Sequence, residues 1–130
     1  MDAVAHLWED EEFKDEPLSG NTDDPDDYGY LDHIYTFSQP QNIDILSVFH
    51  KQIKSYTAID GHDRLNMVEY YATGEGALPY YNCSDFPFNF NLLFDADPNG
   101  MVSADFVKNG IENWINNVPE GKIPLPYPDL

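Results

Sequence analysis

Basic side chains are scarce: 6 Lys and Arg stand against 24 Asp and Glu, for a formal net charge of −18. A field of that sign repels phosphate backbones and anionic lipid headgroups, which makes nucleic acid and membrane surfaces poor partners for this segment. A neutral ligand is indifferent to it. Cysteine is nearly absent as well. Cys83 stands alone, so no internal disulfide can form, and no CxxC or Cys/His cluster offers a zinc site. No run approaches the ~18 consecutive apolar residues of a transmembrane helix. The first residues, Met1 to Asp10, lack the basic start and apolar stretch of a signal peptide.

What the 130 residues do contain is apolar and aromatic material, 42% and 15%, enough for a packed core in one modest domain. The chain opens inside an apolar run, Met1-Asp2-Ala3-Val4-Ala5, with no turn or cap before it, which reads as a strand cut off from its beginning. His6 to Phe13 is expected to form a short helical turn. Asp15 to Asp32 is rich in Asp, Pro, Gly, Ser and Asn and reads as a long polar loop. Its length, with Tyr28, Tyr30 and Tyr35, marks it as packed and functional. The acidic run Asp23, Asp24, Asp26 and Asp27 reads as a solvated turn.

From Asn42 onward Ile43, Leu46, Phe49, Ile53 and Tyr56 recur every three or four residues, the spacing of one apolar helical face. Asp60-Gly61-His62-Asp63 is a turn. Leu65, Met67 and Glu69 then alternate with Asn66, Val68 and Tyr70, as in a strand. Two glycines and a proline between Thr73 and Tyr81 leave room for only a short helix. Phe86 to Phe94 alternates again, with Pro87 near its start. Ser103 is a candidate N-cap, with Asp105 near the positive end of the helix dipole. Val107, Ile111, Trp114, Ile115 and Val118 define that helix's buried face, and Pro119 and Gly121 end it. This order of strands and helices is the alternation of an α/β fold with parallel strands and crossover helices.

Three places could carry chemistry. Asp95-Ala-Asp97-Pro-Asn99-Gly100 imitates the first half of a calcium-binding EF-hand loop, but Phe106 occupies the position where a bidentate glutamate is required. It reads as a turn. Asn82-Cys83-Ser84 is a glycosylation sequon, which makes Asn82 a candidate in a secretory protein. Glu69 lies near the carboxyl end of an apolar strand, and Asp2 lies at the same end of the first one. In parallel β/α folds catalytic residues project from that end. Each acid alone reads more readily as a strand-end acid that caps a loop or pairs with a nearby base. As a pair on neighbouring strands they could flank one bond, and a separation of about 5–5.5 Å defines a retaining glycosidase.

The residues also resemble the α-amylase superfamily of glycoside hydrolases, specifically its insect-type maltases (α-glucosidases). Met1-Asp2-Ala3-Val4-Ala5-His6-Leu7 is similar to the end of that family's fourth barrel strand, a Gly-Phe-Arg-x-Asp pattern with histidine four residues later. Asp15-Glu16-Pro17-Leu18-Ser19-Gly20 and the stretch from Asp26 to Thr36 look like the long loop that follows it, about residues 14–40. Met67-Val68-Glu69 resembles the fifth strand, Phe86-Pro87-Phe88-Asn89-Phe90 the sixth, and Ile111-Glu112-Asn113-Trp114 with Pro119-Glu120-Gly121 the next helix. Tyr70 departs from the family's usual alanine, and Phe37-Ser38 replaces charged residues. The Pro-rich tail, 123–130, resembles nothing in it.

The resemblance implies a partial (β/α)8 TIM barrel over residues 1–130, roughly strands 4 to 6 with their helices. It makes Asp2 the nucleophile, Glu69 the acid/base and His6 a substrate-binding donor near the sugar. The implied parent hydrolyses α-1,4-linked glucose at non-reducing ends of a maltose-like oligosaccharide or sucrose, with retention. No cofactor or metal and no direct membrane contact from this segment is expected. The parent would be secreted or at the cell surface. The family's arginine two residues ahead of Asp2 and its third acid are not among the 130 residues. A complete barrel takes about 250 residues, and three strands cannot close one, so this segment is expected to be inactive alone. The alternative is a non-catalytic barrel scaffold related to amino-acid transporter heavy chains.

Overall fold

Two short parallel strands set the frame of the chain in a computed structural model that describes residues 1–71, 74–90 and 102–124. Strand β1 (Met67–Val68) pairs with β2 (Phe86–Pro87), Met67 opposite Phe86 and Val68 opposite Pro87. Beyond them, Phe88 N–H donates to Val68 O at 2.9 Å and Asp85 N–H to Asn66 O at 3.0 Å. Pro87 is tolerated because the next amide, that of Phe88, makes the bond to β1.

The opening residues lie along the other side of β1. Met1 N donates to Met67 O at 2.7 Å, and Glu69 N–H to Met1 O at 2.8 Å, the alternating pattern of a parallel pair. The pairing stops there. Ala3 enters the left-handed region at φ 46, and Val4 N–H reaches Glu69 O at 3.0 Å instead. The expected first strand is therefore realised as two backbone bonds and not as a ladder. The expected helical turn also moves: a 3-10 turn spans Val4–His6, closed by His6 N–H to Ala3 O at 3.1 Å. Residues after it are held by a different bond, Asp10 N–H to Tyr35 O at 3.0 Å.

Helix α1 (Gln41–Ser55) places Asn42 and Leu46 against this frame, both fully buried. A single turn, α2 (Thr57–Asp60), follows and is closed by Gly61, whose φ of 73 suits glycine. Helix α3 (Gly74–Ala77) runs into a 3-10 turn, Leu78–Asn82. Helix α4 (Ala104–Asn117) starts as expected at Ser103, whose hydroxyl accepts Phe106 N–H at 3.0 Å.

Along β1 the buried side is Asn66, Val68 and Tyr70, while Leu65 and Met67 are exposed. The core gathers Val4, Leu46, Val68, Tyr80, Tyr81 and Trp114. Two expected buried faces are only partly covered. Phe49 on α1 and Ile111 and Ile115 on α4 are exposed, while Leu46 and Trp114 on the same helices are buried. At the start of the strands Lys54 Nζ meets Asp85 Oδ1 at 2.8 Å, and Asp85 Oδ2 accepts Asn66 N–H at 2.7 Å. This clip joins α1, β1 and β2. The calcium-like turn at Asp95–Gly100, the expected strand beyond Phe90 and residues 125–130 of the tail lie outside the described residues.

Candidate active site

A cleft of about 920 Å³ opens where β1 ends, and Asp2, His6 and Glu69 all line it. The parallel pairing explains why. Met1 lies beside Val68 in register, so Asp2 and Glu69 are the next residues of adjacent segments and leave them at the same end. Ala3 N–H then donates to Glu69 Oε2 at 3.3 Å, tying the first segment to the carboxyl itself. A non-glycine residue in the left-handed region costs about 1–2 kcal/mol, strain of the kind that collects at functional sites.

Hydrogen bonding with the neighbouring Asp2 carboxyl, then partial burial and then the nearby Asp2 charge hold the Glu69 carboxyl above its ordinary range, while Ala3 N–H and the Met1 amino group act in the opposite direction. A raised pKa on one acid of a touching pair is the electrostatic signature of two carboxylates sharing a site. His6 is exposed to the cleft, its ring edge against Phe37 at 5.1 Å.

The other wall is the long loop, which is an ordered structure. Leu18 and Leu31 form an antiparallel bridge, flanked by Ser19 N–H to Tyr30 O at 3.0 Å and Asp32 N–H to Pro17 O at 2.8 Å. Glu16 Oε2 accepts Tyr35 N–H at 3.1 Å and Oε1 accepts the Thr36 hydroxyl at 2.7 Å. Burial opposes ionisation of Glu16, but those donors and the charge of His33 outweigh it and keep its carboxyl below the ordinary range. Within the acidic run Asp24 Oδ1 accepts Asp26 N–H at 3.0 Å and Asp27 Oδ1 accepts Gly29 N–H at 2.7 Å. These acids build turns in solvent, as expected.

Asn82 stands apart. It is exposed at the end of its 3-10 turn, and it does not line the cleft. Its neighbours Cys83 and Ser84 are buried, with Ser84 Oγ donating to Tyr80 O at 2.8 Å, and burial pushes the Cys83 thiol up to about 11.

Two features escape a reading of the linear chain. Tyr70, Phe37 and Ser38 meet: the Tyr70 hydroxyl bonds Ser38 Oγ, and its ring stacks on Tyr80 at 4.1 Å and on Phe37 at 6.4 Å. Tyr70 shares strand parity with buried Val68, and that was the available signal. The second is His33, stacked on Tyr28 with ring centroids 4.0 Å apart. No spacing rule pairs residues five apart in a loop.

No protein-family model matches the chain. Curated relatives do. It is 36% identical over 131 residues to the α-glucosidase of Culex pipiens, an alignment covering 95% of this chain and 22% of that protein. It is 37% identical over 128 residues to maltase 1 of Drosophila virilis, covering 93% and 20%. The salivary α-glucosidase of Anopheles gambiae is 35% identical over 133 residues, with 95% and 22% covered. A human amino acid transporter heavy chain, SLC3A1, is 34% identical over 133 residues, with 95% and 19% covered. The chain thus spans about a fifth of the length of the curated relatives it matches.

Proposed function

We propose that this chain, similar over nearly its whole length to one part of the insect maltases and α-glucosidases, carries the two reacting carboxylates of a retaining α-glucosidase. In this reading Asp2 attacks the anomeric carbon and Glu69 protonates the leaving oxygen. The leaving sugar departs with that proton, and the glucosyl ester on Asp2 remains. Glu69, now ionised, takes a proton from water as the water cleaves the ester, which returns Asp2 as a carboxylate.

The observation that supports the reading is the placement of the two acids, which leave adjacent parallel segments at the same end and line one cleft. Inverting enzymes keep their carboxyls roughly 6.5–9.5 Å apart to admit a water, and retaining enzymes about 5–5.5 Å; neighbouring parallel segments lie about 4.8 Å apart, which suits the retaining spacing. The electrostatics suit the same cycle. While Asp2 is negative, Glu69 is favoured in its acidic form. Once Asp2 is esterified that charge is gone, and Glu69 becomes easier to ionise when a base is needed.

In this proposal the chain supplies roughly strands 4 to 6 of a (β/α)8 barrel with their helices and the long loop of about residues 14–40, and the Pro-rich tail 123–130 is atypical of it. The substrate is an α-1,4-linked glucoside of the maltose kind, or sucrose, and His6 donates a hydrogen bond to its reacting ring. Likeness to a protein named salivary supports a secreted parent. The scaffold alternative is weaker: likeness to the human heavy chain, 34%, lies below that to two insect enzymes, 36% and 37%. A scaffold also has no use for a pair of touching acids.

The test is a chimera in which residues 1–124 replace the matching segment of Drosophila virilis maltase 1. It should hydrolyse p-nitrophenyl α-glucoside and release α-glucose first, while the 130-residue chain alone releases no product. Asp2→Asn and Glu69→Gln should each abolish turnover. An active chimera that tolerates either substitution rules out the assignment.

A further inference from the structure

We propose that Tyr28, backed by His33, is the platform for the second sugar ring, the one that leaves; this rests on the glycosidase reading. Tyr28 is 66% exposed, yet it lines the same cleft as Asp2 and Glu69. The bond to be cleaved must lie between those two acids, which belong to the first residues and to the end of β1. Tyr28 belongs to neither, but to the loop that forms another wall of the cleft. A disaccharide held by its reacting ring at the carboxyls has its second ring free to reach that wall.

The ring is held ready. Its plane lies 22° from that of His33, and His33 Nε2 hydrogen-bonds the Tyr28 carbonyl oxygen at 3.0 Å. The backbone below is the 3-10 turn Tyr28–Tyr30, capped by Asp27. A Cβ at Gly29 would lie 3.1 Å from Asp27 Oδ1 and crowd that cap. The bridge between Leu18 and Leu31 anchors the far side of the turn. With His33 against one face, the exposed face of Tyr28 is preorganised, and binding spends little on ordering it.

The chemistry selects a neutral ring. An aromatic face carries negative quadrupole density, which attracts the weakly positive C–H groups on one side of a pyranose and the apolar patch they form. Asp2 and Asp32 line the cleft and disfavour an anionic ligand. Glucose alone would fill the reacting position and leave Tyr28 uncovered.

The experiment is a titration of the 130-residue chain with maltose and, separately, with glucose, followed by NMR of the Tyr and His rings and the carboxyl groups. Maltose should shift Tyr28 and His33 together with His6 and Glu69, and glucose only His6 and Glu69. Covering on the order of 50 Å² of ring face corresponds to about a tenfold change in Kd. Tyr28→Ala should therefore weaken maltose about tenfold and leave glucose unchanged, while Tyr28→Phe, which keeps the face, binds like wild type. The proposal is overturned if maltose shifts Glu69 without Tyr28, or Tyr28 without Glu69, or if Tyr28→Ala binds maltose normally. If neither sugar perturbs Asp2, His6 or Glu69, the chain holds no sugar in this cleft and the proposal is overturned, while the chimera tests the glycosidase reading separately.

Discussion

Asp85→Ala should destabilise the chain by about 2–3 kcal/mol, and Asp85→Asn by roughly half as much. The Asp85 carboxylate has two partners on different elements, Lys54 Nζ on α1 at 2.8 Å and Asn66 N–H ahead of β1 at 2.7 Å. The Lys54 and Asp85 side chains are 31% and 18% exposed, so the pair exceeds the ~0.2–1 kcal/mol of open surface pairs and approaches the ~1.5–3 kcal/mol of hydrogen bonds to charged groups. Alanine removes both bonds and strands the Asn66 N–H. Asparagine keeps an oxygen for Asn66 and loses the charge that attracts Lys54 and His50.

Burial opposes ionisation of Asp85, but Lys54, the Asn66 N–H and the charge of His50 outweigh it and lower its pKa. The bond to Asp85 raises that of Lys54 against desolvation. Asp85 therefore contributes stability above its ordinary value of 3.8, lost as pH falls through its lower folded value. Lys54 contributes below 10.5, lost as pH rises through its higher folded value. The difference between wild type and variants should be flat between about pH 5 and 9 and narrow outside that window. Urea unfolding followed by tryptophan fluorescence gives the free energies, with buried Trp114 as reporter. A double-mutant cycle with Lys54→Met should return a coupling of about 1–2 kcal/mol. Equal costs for Ala and Asn, or no coupling, would refute the clip.

Asp2→Asn should bring the Glu69 titration down toward its ordinary 4.5, as read by carbon NMR of the carboxyl. A raised value means stability fully present below 4.5 and lost as pH rises through the folded value, so this variant should also lose less stability over that interval. An unmoved Glu69 titration contradicts the contact. Tyr70→Phe, which deletes only the bond to Ser38, should cost about 1 kcal/mol, and Tyr70→Ala about 3–5 kcal/mol through the lost stack, both measured in urea. Equal costs would mean the ring contributes nothing. Expressed with a secretion leader, the chain should carry a glycan that peptide N-glycosidase removes and Asn82→Gln abolishes; a wild-type chain without one shows the exposed sequon to be unused.

The sequence by itself determined the local elements with local causes. Ser103 caps α4 because a hydroxyl before a helical run can reach an amide three residues on, and Gly61 closes α2 because only glycine is at ease at φ 73. The kinship was also legible, since it rests on short runs around Asp2, Glu16 and Glu69. Tertiary structure alone decided which side of β1 is buried, because alternation gives two faces without saying which meets α1. It also supplied the register that sets Asp2 beside Glu69, a pairing the sequence could only suggest from their places at strand ends and from kinship. Phe37 with Tyr70 and Tyr28 with His33 belong to the same class, contacts made by the path of a loop, for which a linear chain has no periodicity to read.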